Sequence, residues 1–232
     1  MKRFLLCVIL SISSIAAIAQ MSGNYNYSIG IRGYSLVQMP KLLDEPNSSY
    51  FNSAPFSGVM VKFNDNQIAY RLNGSFYNRS KKFYNNCMTC EEANGKLMDY
   101  SFKIGFEKNF NYAHVQPYFA LDIGYRYNRF SGDIENRNDL KAVANAAAAE
   151  TLKLETTKSG FVASPVVGVK INPIEQLSVF AEANIEFFYS YERQERTAYD
   201  VNNTKSLNKY NKSEFLLNPV SVGIQIHLGS NK

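Results

Sequence analysis

The sequence predicts an all-β protein, an eight-stranded antiparallel up-and-down transmembrane β-barrel with a cleaved N-terminal signal peptide and a short helix in its third extracellular loop. Three observations lead to this fold class. Eight segments alternate apolar with polar residues, as strands with one apolar face do. The connections between them are alternately short and long. Aromatic residues concentrate near the ends of the apolar sets, as the interfacial girdles of transmembrane barrels require.

The composition narrows the class of protein further. The chain has 232 residues, of which 45% are hydrophobic, with 16 Phe, 16 Tyr and no Trp. The mean hydropathy of −0.27 is too polar for a helical membrane protein. The formal net charge of +5 is a mild excess and does not indicate binding to nucleic acid. The length suits one domain, or at most two small ones.

Residues 1–19 have the pattern of a secretory signal peptide. Lys2 and Arg3 precede an apolar run over residues 4–18, which ends in a small-x-small cleavage site at residues 17–19. The alternative is an uncleaved anchor helix, but the run is shorter than the roughly 20 residues that a spanning helix needs. Cys7 lies inside the run, which argues against a lipoprotein signal. We therefore predict a signal peptide over 1–19 and a barrel domain over 20–232; cleavage lowers the net charge from +5 to +3, because Lys2 and Arg3 are removed.

The eight alternating segments predict the strands. In residues 177–190, for example, Val179 and Ala181 alternate with Ser178 and Glu182. The same alternation runs through residues 25–32, 58–63, 68–77, 98–107, 115–128, 161–171 and 220–228. The parity becomes unclear upstream of residues 218–219, where we expect a β-bulge.

The connections indicate how the strands are joined. Short polar turns are predicted at residues 64–67, 109–114 and 172–176, and long polar loops at residues 38–55, 78–96, 129–159 and 192–212. An even number of strands with all long loops at one end is typical of membrane barrels. A soluble β-sandwich or lipocalin-like barrel would show the same parity with its apolar face inward. The aromatic segment ends and the up-and-down hairpins favour the membrane barrel.

The short turns also predict strand registers that pair apolar residues with apolar residues. The expected pairs are Phe63–Ile68, Val61–Tyr70, Phe106–Phe119, Ile104–Leu121, Ile171–Leu177 and Val169–Val179. On the polar face, the second of these registers places Lys103 opposite Asp122.

The polar face of the strands predicts a charged lumen. Its basic residues are Arg32, Lys62, Arg71, Lys103, Arg126 and Lys170, and its acidic residues are Asp99, Glu107, Asp122, Glu182 and Glu186. A selective ion pore shows a ring of one sign of charge. Because eight strands leave little interior space and the charges nearly balance, we expect a salt-bridge network that fills the lumen rather than a continuous channel.

Cys87 and Cys90 form a C-x-x-C motif in the second long loop. In an exported protein this spacing predicts a local disulfide, with redox catalysis or metal binding as the alternatives. A zinc site would need a second ligand pair, which the sequence lacks. We therefore predict no metal site and no cofactor.

The two histidines do not predict an enzyme. An outer-membrane lipid-modifying enzyme needs a His/Ser or His/Asp/Ser constellation near the outer leaflet. His114 falls in a short periplasmic turn, and His227 faces inward near the end of the last strand. Glu182 and Glu186 are expected to be ion-pair partners rather than an acid–base dyad.

Residues 139–154 interrupt the strand pattern with an alanine-rich run of high helix propensity, which Asp139 could cap. This segment predicts a short helix that acts as a lid or a partner surface; a loop with nascent helix is the alternative. Basic loop residues could bind lipopolysaccharide phosphates or form a solvated surface. They are Lys81, Lys82, Arg193, Arg196, Lys205, Lys209 and Lys212.

On these features the chain resembles the small outer-membrane β-barrel proteins of Gram-negative bacteria. The similar classes are the OmpA-transmembrane-domain/OmpX-like proteins and the PorT-like "outer membrane protein beta-barrel domain" families. The resemblance covers residues 20–232 and rests on the architecture, the signal peptide and the closing strand at residues 220–228. It includes no catalytic motif, and the last strand ends in Leu228-Gly229 rather than in an aromatic residue.

The expected protein is a non-enzymatic, monomeric barrel in the bacterial outer membrane, with a structural or surface-interaction role through four long extracellular loops. Its expected partners are outer-membrane lipid and lipopolysaccharide, and an extracellular protein or surface ligand bound by the loops. Two alternatives stay open, a small-solute channel and an accessory outer-membrane subunit of a secretion system. A lipid-modifying enzyme is disfavoured.

Overall fold

The computed structural model describes residues 25–42, 51–65, 67–84, 91–111, 113–136, 152–199 and 204–230, which form eight strands and no helix. Consecutive strands pair antiparallel, and β1 also pairs with β8, so the sheet closes into a barrel. This confirms the predicted eight-stranded up-and-down architecture. The strands are β1 Tyr25–Gln38, β2 Phe51–Asp65, β3 Ile68–Tyr84, β4 Glu91–Asn109, β5 Val115–Asn136, β6 Leu152–Ile174, β7 Leu177–Ala198 and β8 Lys205–Ser230.

Two predicted segments lie wholly or partly outside the described residues. The signal peptide at residues 1–19 is wholly outside them, as is most of the predicted loop helix. Residues 152–154, the last three of that predicted helix, form the start of β6 instead, so the predicted helix boundary is wrong there. No helix in the described part of the chain is long and apolar enough to cross a membrane.

The two ends of the barrel differ in how the strands are joined. The turn end holds the short connections that follow β2, β4 and β6, and the loop end holds those that follow β1, β3, β5 and β7. At the loop end the strands continue far beyond the apolar segments: β3 and β4 stay paired to Tyr84 and Glu92, and β5 and β6 to Ile134 and Leu152. Much of the predicted loops at residues 78–96, 129–159 and 192–212 is therefore strand, and those loop boundaries are wrong.

An inversion of polarity explains the missed strand length. Near the loop end Leu97, Phe130 and Leu154 point into the barrel and are fully buried. On the outer surface at the same height, Arg129 and Glu155 form an exposed ion pair at 2.7 Å. The alternation between the two faces is unbroken, but its apolar face changes from outside to inside. A prediction that follows the apolar outward residues therefore ends the strand too early, because the strand itself continues.

The three predicted hairpin registers are each displaced by two residues. Phe63 pairs with Tyr70, Phe106 with Leu121 and Ile171 with Val179. A slip of two residues keeps every side chain on its own face, so the apolar pairing rule accepts both registers and only the turn geometry selects one. On the polar face, Asp122 lies opposite Gly105 and Lys103 lies opposite Gly124, so the predicted Lys103–Asp122 pair is wrong.

The β1–β2 hairpin bends at a pair of bulges. The β1–β2 register changes between Arg32–Gly58 and Tyr34–Pro55, which leaves Phe56 in an unusual backbone conformation with a φ of 49°. The β1–β8 register shifts at the same point of β1. Bulges bend a strand and increase its local twist. A further shift in the β7–β8 pairing at residues 218–221 agrees with the bulge predicted there.

The barrel wall is split above these bulges. The β2–β3 pairing ends at Gly58 and Ser75. Beyond it, residues 51–55 of β2 pair with β1, whereas residues 76–84 of β3 pair with β4. In the described residues the two strands are thus neighbours at the turn end and separate at the loop end. We call this opening the lateral gap.

The outward surface carries a continuous apolar belt. Its large side chains are substantially exposed, as for Phe102 at 59% and Val167 at 59%. Along β4 and β5 the belt occupies residues 98–106 and 119–127, close to the roughly 9–11 residues of a membrane-crossing strand. Aromatic residues lie near both edges, including the stacked pair of Tyr100 and Tyr127 towards the loop end.

Candidate functional site

The middle of the lumen is bridged by one guanidinium group. Arg71 on β3 donates a hydrogen bond to Glu182 on β7 at 2.9 Å, and its other atoms lie 3.3 Å from Glu107 and 3.2 Å from Asp122. Arg32 reaches the second oxygen of Glu182 at 3.3 Å. Arg71 and its three acidic partners are buried. Side chains from β3, β4, β5 and β7 therefore meet at the barrel axis instead of lining an open channel.

A second cluster continues this network towards the turn end. Glu107 accepts hydrogen bonds from Lys62 at 2.5 Å and from Lys170 at 3.1 Å. Both ammonium groups lie over the ring of Tyr118, at 5.2 and 5.6 Å from its centroid, where the ring face attracts cations. The Tyr118 hydroxyl donates to Glu182 at 2.9 Å and so joins the two clusters.

A third cluster lies towards the loop end around Arg126. Its Nε donates to Asp99 at 3.0 Å and its Nη1 donates to Glu186 at 2.5 Å. Lys103 forms an ion pair with the other oxygen of Glu186. The guanidinium lies 5.8 Å from the ring centroid of Phe188, which fills the adjoining lumen.

The structure thus brings together all of the charged side chains that the sequence assigned to the lumen. In place of its predicted partner Asp122, Lys103 contacts Glu186. Three further buried charges in the described residues lie where the sequence predicted loops or loop boundaries, so they were not predicted. They are Lys158, Glu192 and Glu214. Extending the inward parity of β6 and β7 by a few residues would have found the first two.

These three residues form a fourth ion cluster near the loop end. The Lys158 ammonium lies 3.0 Å from Glu192 and 3.1 Å from Glu214, and all three side chains are buried. Lys158 also donates to the backbone carbonyl of Lys41, and the backbone N–H of Lys41 donates to Glu214 at 2.9 Å. The cluster therefore fastens the chain that follows β1 to strands β6 and β8.

That chain, residues 39–42, is called the strap here, and it turns into the barrel mouth. Met39 and Leu42 are almost fully buried, and the Met39 sulfur lies 3.8 Å from Arg126. They join a cluster of inward apolar side chains that closes the loop end of the lumen. This apolar plug consists of Met39, Leu42, Ala54, Tyr77, Ala93, Leu97, Phe130, Ile134 and Leu154.

Close packing leaves little free space between the plug and the ion clusters. A cavity of about 60 Å³ remains beside Arg126 and Asp99, which suits a few water molecules. Nearer the turn end the lumen is filled by aromatic rings that need glycine opposite them. A Cβ on Gly168 would lie 2.4 Å from the Tyr118 ring, and one on Gly223 would lie 2.5 Å from the Phe180 ring.

His227 joins three parts of the sheet at the turn end. Its Nδ1 lies 2.8 Å from the Ser28 hydroxyl and its Nε2 lies 2.5 Å from the Ser178 hydroxyl, which itself donates to Asn172. Tyr25 stacks on the imidazole at 5.6 Å. A hydrolase triad needs one ring nitrogen on the nucleophile and the other on an orienting carboxylate. Here both ring nitrogens form hydrogen bonds with serine hydroxyl groups, and both serines are fully buried.

The predicted disulfide between Cys87 and Cys90 lies outside the described residues. Within the described ranges, no group of three or more His, Cys, Asp or Glu side chains is arranged to hold a metal ion. The described arrangement therefore provides a fixed network of paired charges, closed above by apolar packing.

No protein-family model matches the chain, and no curated protein matches it. Among solved structures, the chain is similar to a crystal structure of a major outer membrane protein from Thermus thermophilus. The two share 10% sequence identity over 87% of this chain and 99% of that chain, with a TM-score of 0.49.

Proposed function

We propose that the protein is a non-enzymatic β-barrel of the bacterial outer membrane, with a closed lumen and a structural or surface-interaction role. The observation that carries the proposal is the inside-out polarity of the barrel. Ion pairs such as Arg71–Glu182 fill its interior, while large apolar side chains such as Phe102 and Val167 are exposed around its outside. In water this arrangement would expose a large apolar surface, whereas a bilayer covers it.

The shape of the belt supports a bilayer as the surrounding medium. Apart from the lateral gap at the loop-end edge of the belt, the closed barrel pairs its backbone groups within the sheet, as strands that cross hydrocarbon must. The belt is about as long as a bilayer core requires and has aromatic residues near both edges. In the part of the chain that the structure describes, outward ion pairs such as Arg129–Glu155 lie beyond the belt.

The filled lumen favours a closed barrel over a small-solute channel. Opposite charges meet across the axis, so no ring of one sign is present among the described residues to select an ion. The apolar plug and the strap obstruct the loop end. Closure favours a function on the outer surface, where the connections after β1, β3, β5 and β7 would present an extracellular protein or ligand with a binding surface.

The proposed partners at the membrane are outer-membrane lipid and lipopolysaccharide. Several outward basic residues at the loop end already have carboxylate partners: Lys82 pairs with Glu92, and both Arg193 and Lys205 pair with Glu195. Phosphates of lipopolysaccharide would have to compete with these exposed pairs, which are individually weak. Contact through this rim would therefore use a few weak sites rather than a built pocket.

Fractionation with a heat-modifiability gel tests the proposal. The protein should partition with outer membranes, start after residue 19, and migrate differently before and after boiling, because a barrel stays folded in the gel until it is heated. Recovery as a soluble protein with a single gel mobility would contradict it. Co-purification from outer membranes tests the alternative role in a secretion system.

A further inference from the structure

The lateral gap between β2 and β3 forms an opening in the barrel wall. It holds a cavity of about 270 Å³ lined by residues 54–56 of β2 and 76–79 of β3. Along β3 these residues alternate between the outer face, as for Phe76 at 56% exposed, and the inner face, as for Tyr77 at 7%. A groove on one face of a sheet is lined by alternate residues, whose side chains all point to that face. Because both outward and inward residues line this cavity, it lies within the wall.

The outer part of the cavity continues the apolar belt. Phe76 pairs with Tyr100, which stacks on Tyr127, so the gap begins beside an aromatic row at the loop-end edge of the belt. On the other side of the gap, the bulge turns Phe56 outward until 82% of it is exposed. A lipid chain lying along the belt therefore meets Phe56 and Phe76 without leaving an apolar surface.

The inner part of the cavity is continuous with the apolar plug. Ala54 and Tyr77 line the cavity and also belong to the plug. The polar cavity beside Arg126 shares Ala54, Phe76 and Tyr77 with the gap, and its charged walls oppose deeper passage of an apolar chain. The gap is thus a recess that is open towards the belt, with apolar walls at Phe56, Phe76 and Tyr77 and polar side chains at Asn78 and Arg79.

The backbone groups at the edges of the gap need a partner that can form hydrogen bonds. Separation of β2 from β3 leaves two strand edges facing each other, and open edges are not tolerated in hydrocarbon. They are tolerated at the level of lipid headgroups and their ester or amide linkages, which supply hydrogen-bonding groups. Arg79 lines the same cavity, is exposed, and suits an anionic headgroup.

We propose that the lateral gap binds one acyl chain of an outer-leaflet lipid with an anionic headgroup. The first part of the chain lies against the side chains of Phe56, Phe76 and Tyr77, its ester or amide linkage faces the open strand edges, and the headgroup lies at Arg79. The cavity volume is close to the roughly 300 Å³ at which small-molecule pockets begin, so the site holds part of one chain. This inference rests on the proposed membrane location of the belt.

Brominated-lipid quenching tests the site cleanly because the natural chain has no Trp. Three single-Trp variants would be reconstituted in vesicles of brominated lipid: Phe102→Trp on the belt, Phe130→Trp in the plug and Tyr77→Trp in the gap. We expect strong quenching of Phe102→Trp and Tyr77→Trp, and little quenching of Phe130→Trp. If Phe102→Trp is quenched while Tyr77→Trp is as protected as Phe130→Trp, the gap proposal is wrong. An unquenched Phe102→Trp would instead contradict the membrane location itself.

Two further measurements support this test. In vesicles of brominated phosphatidylglycerol, Tyr77→Trp should be quenched more than in brominated phosphatidylcholine, and adding Arg79→Gln should remove that difference. If Tyr77→Trp fails to fold, a photoreactive acyl lipid would be used on the unaltered protein. Cross-links to the inward residues Ala54 and Tyr77 are expected, whereas cross-links confined to outward belt residues would overturn the proposal.

Discussion

Arg71 and Glu182 lie 2.9 Å apart in the centre of the barrel, although they belong to β3 and β7, which are not neighbours in the sheet. Both side chains are fully buried. A hydrogen bond between such distant strands requires the lumen to be filled at that height.

Replacing Arg71 with Met should strongly destabilise the folded barrel. The change leaves Glu107, Asp122 and Glu182 without their shared guanidinium, and removing one partner of a buried ion pair costs about 3–5 kcal/mol. Urea unfolding in vesicles measures this loss. Arg129→Met is the matched control, because its exposed pair with Glu155 should contribute at most about 1 kcal/mol. Equal effects from the two changes would argue against a buried network.

Replacing Lys158 with Met should release the strap. Lys158 holds the Lys41 carbonyl and neutralises Glu192 and Glu214, so its loss leaves two buried carboxylates unpaired. Limited trypsin digestion should then cut after Lys41 faster than in the natural protein. Lys205→Met, which removes only an exposed pair, should leave the cleavage rate unchanged. Unchanged cleavage in both variants would show that the cluster does not hold the strap.

Gly168→Ala should disturb the packing of Tyr118. The added Cβ would lie 2.4 Å from the ring, so the ring must move, and overpacking of this kind costs about 1–3 kcal/mol. The loss in unfolding free energy should be smaller in a Tyr118→Leu background, because the clash is then relieved. Gly74→Ala, whose nearest neighbour is 3.6 Å from the new carbon, is the control. Additive effects of Gly168→Ala and Tyr118→Leu would mean that the two sites are not in contact.

The exposed rim pair at Glu195 gives a pH-dependent signal outside the belt. The hydrogen bond from Lys205, followed by its charge, lowers the pKa of the Glu195 carboxyl below its usual value. A lowered pKa in the folded state adds stability above the unfolded-state pKa, and this is lost as the pH falls through the folded value. Carboxyl NMR should show the lowered pKa, and Lys205→Gln should raise it towards the usual value. An unchanged titration in Lys205→Gln would exclude this pair.

The fold could be predicted from the sequence because alternation reports strands directly. The alternation places Val179 and Glu182 on opposite faces of the sheet, and the short turns show which strands form hairpins. The exact registers could not be predicted, because Phe63 satisfies the apolar pairing rule with either Ile68 or Tyr70. Turn geometry decides between them, and residue type alone does not reveal it.

The lumen network was predictable in membership but not in pairing. The inward parity of Arg71 and Glu182 could be counted along the chain, whereas their contact depends on how the closed barrel superposes distant strands. Lys158 and Glu192 were missed because the outward face becomes polar beyond the belt. The strap was not predictable, since residues 39–42 carry no periodic pattern and are fixed by contacts with β6 and β8.

Planar-bilayer conductance tests the central claim, a barrel closed by paired charges and an apolar plug, most directly. The purified, heat-modifiable protein should insert and show no steady current across a range of voltages. A reproducible open-channel conductance from the folded protein would contradict the closed lumen and support the small-solute channel instead.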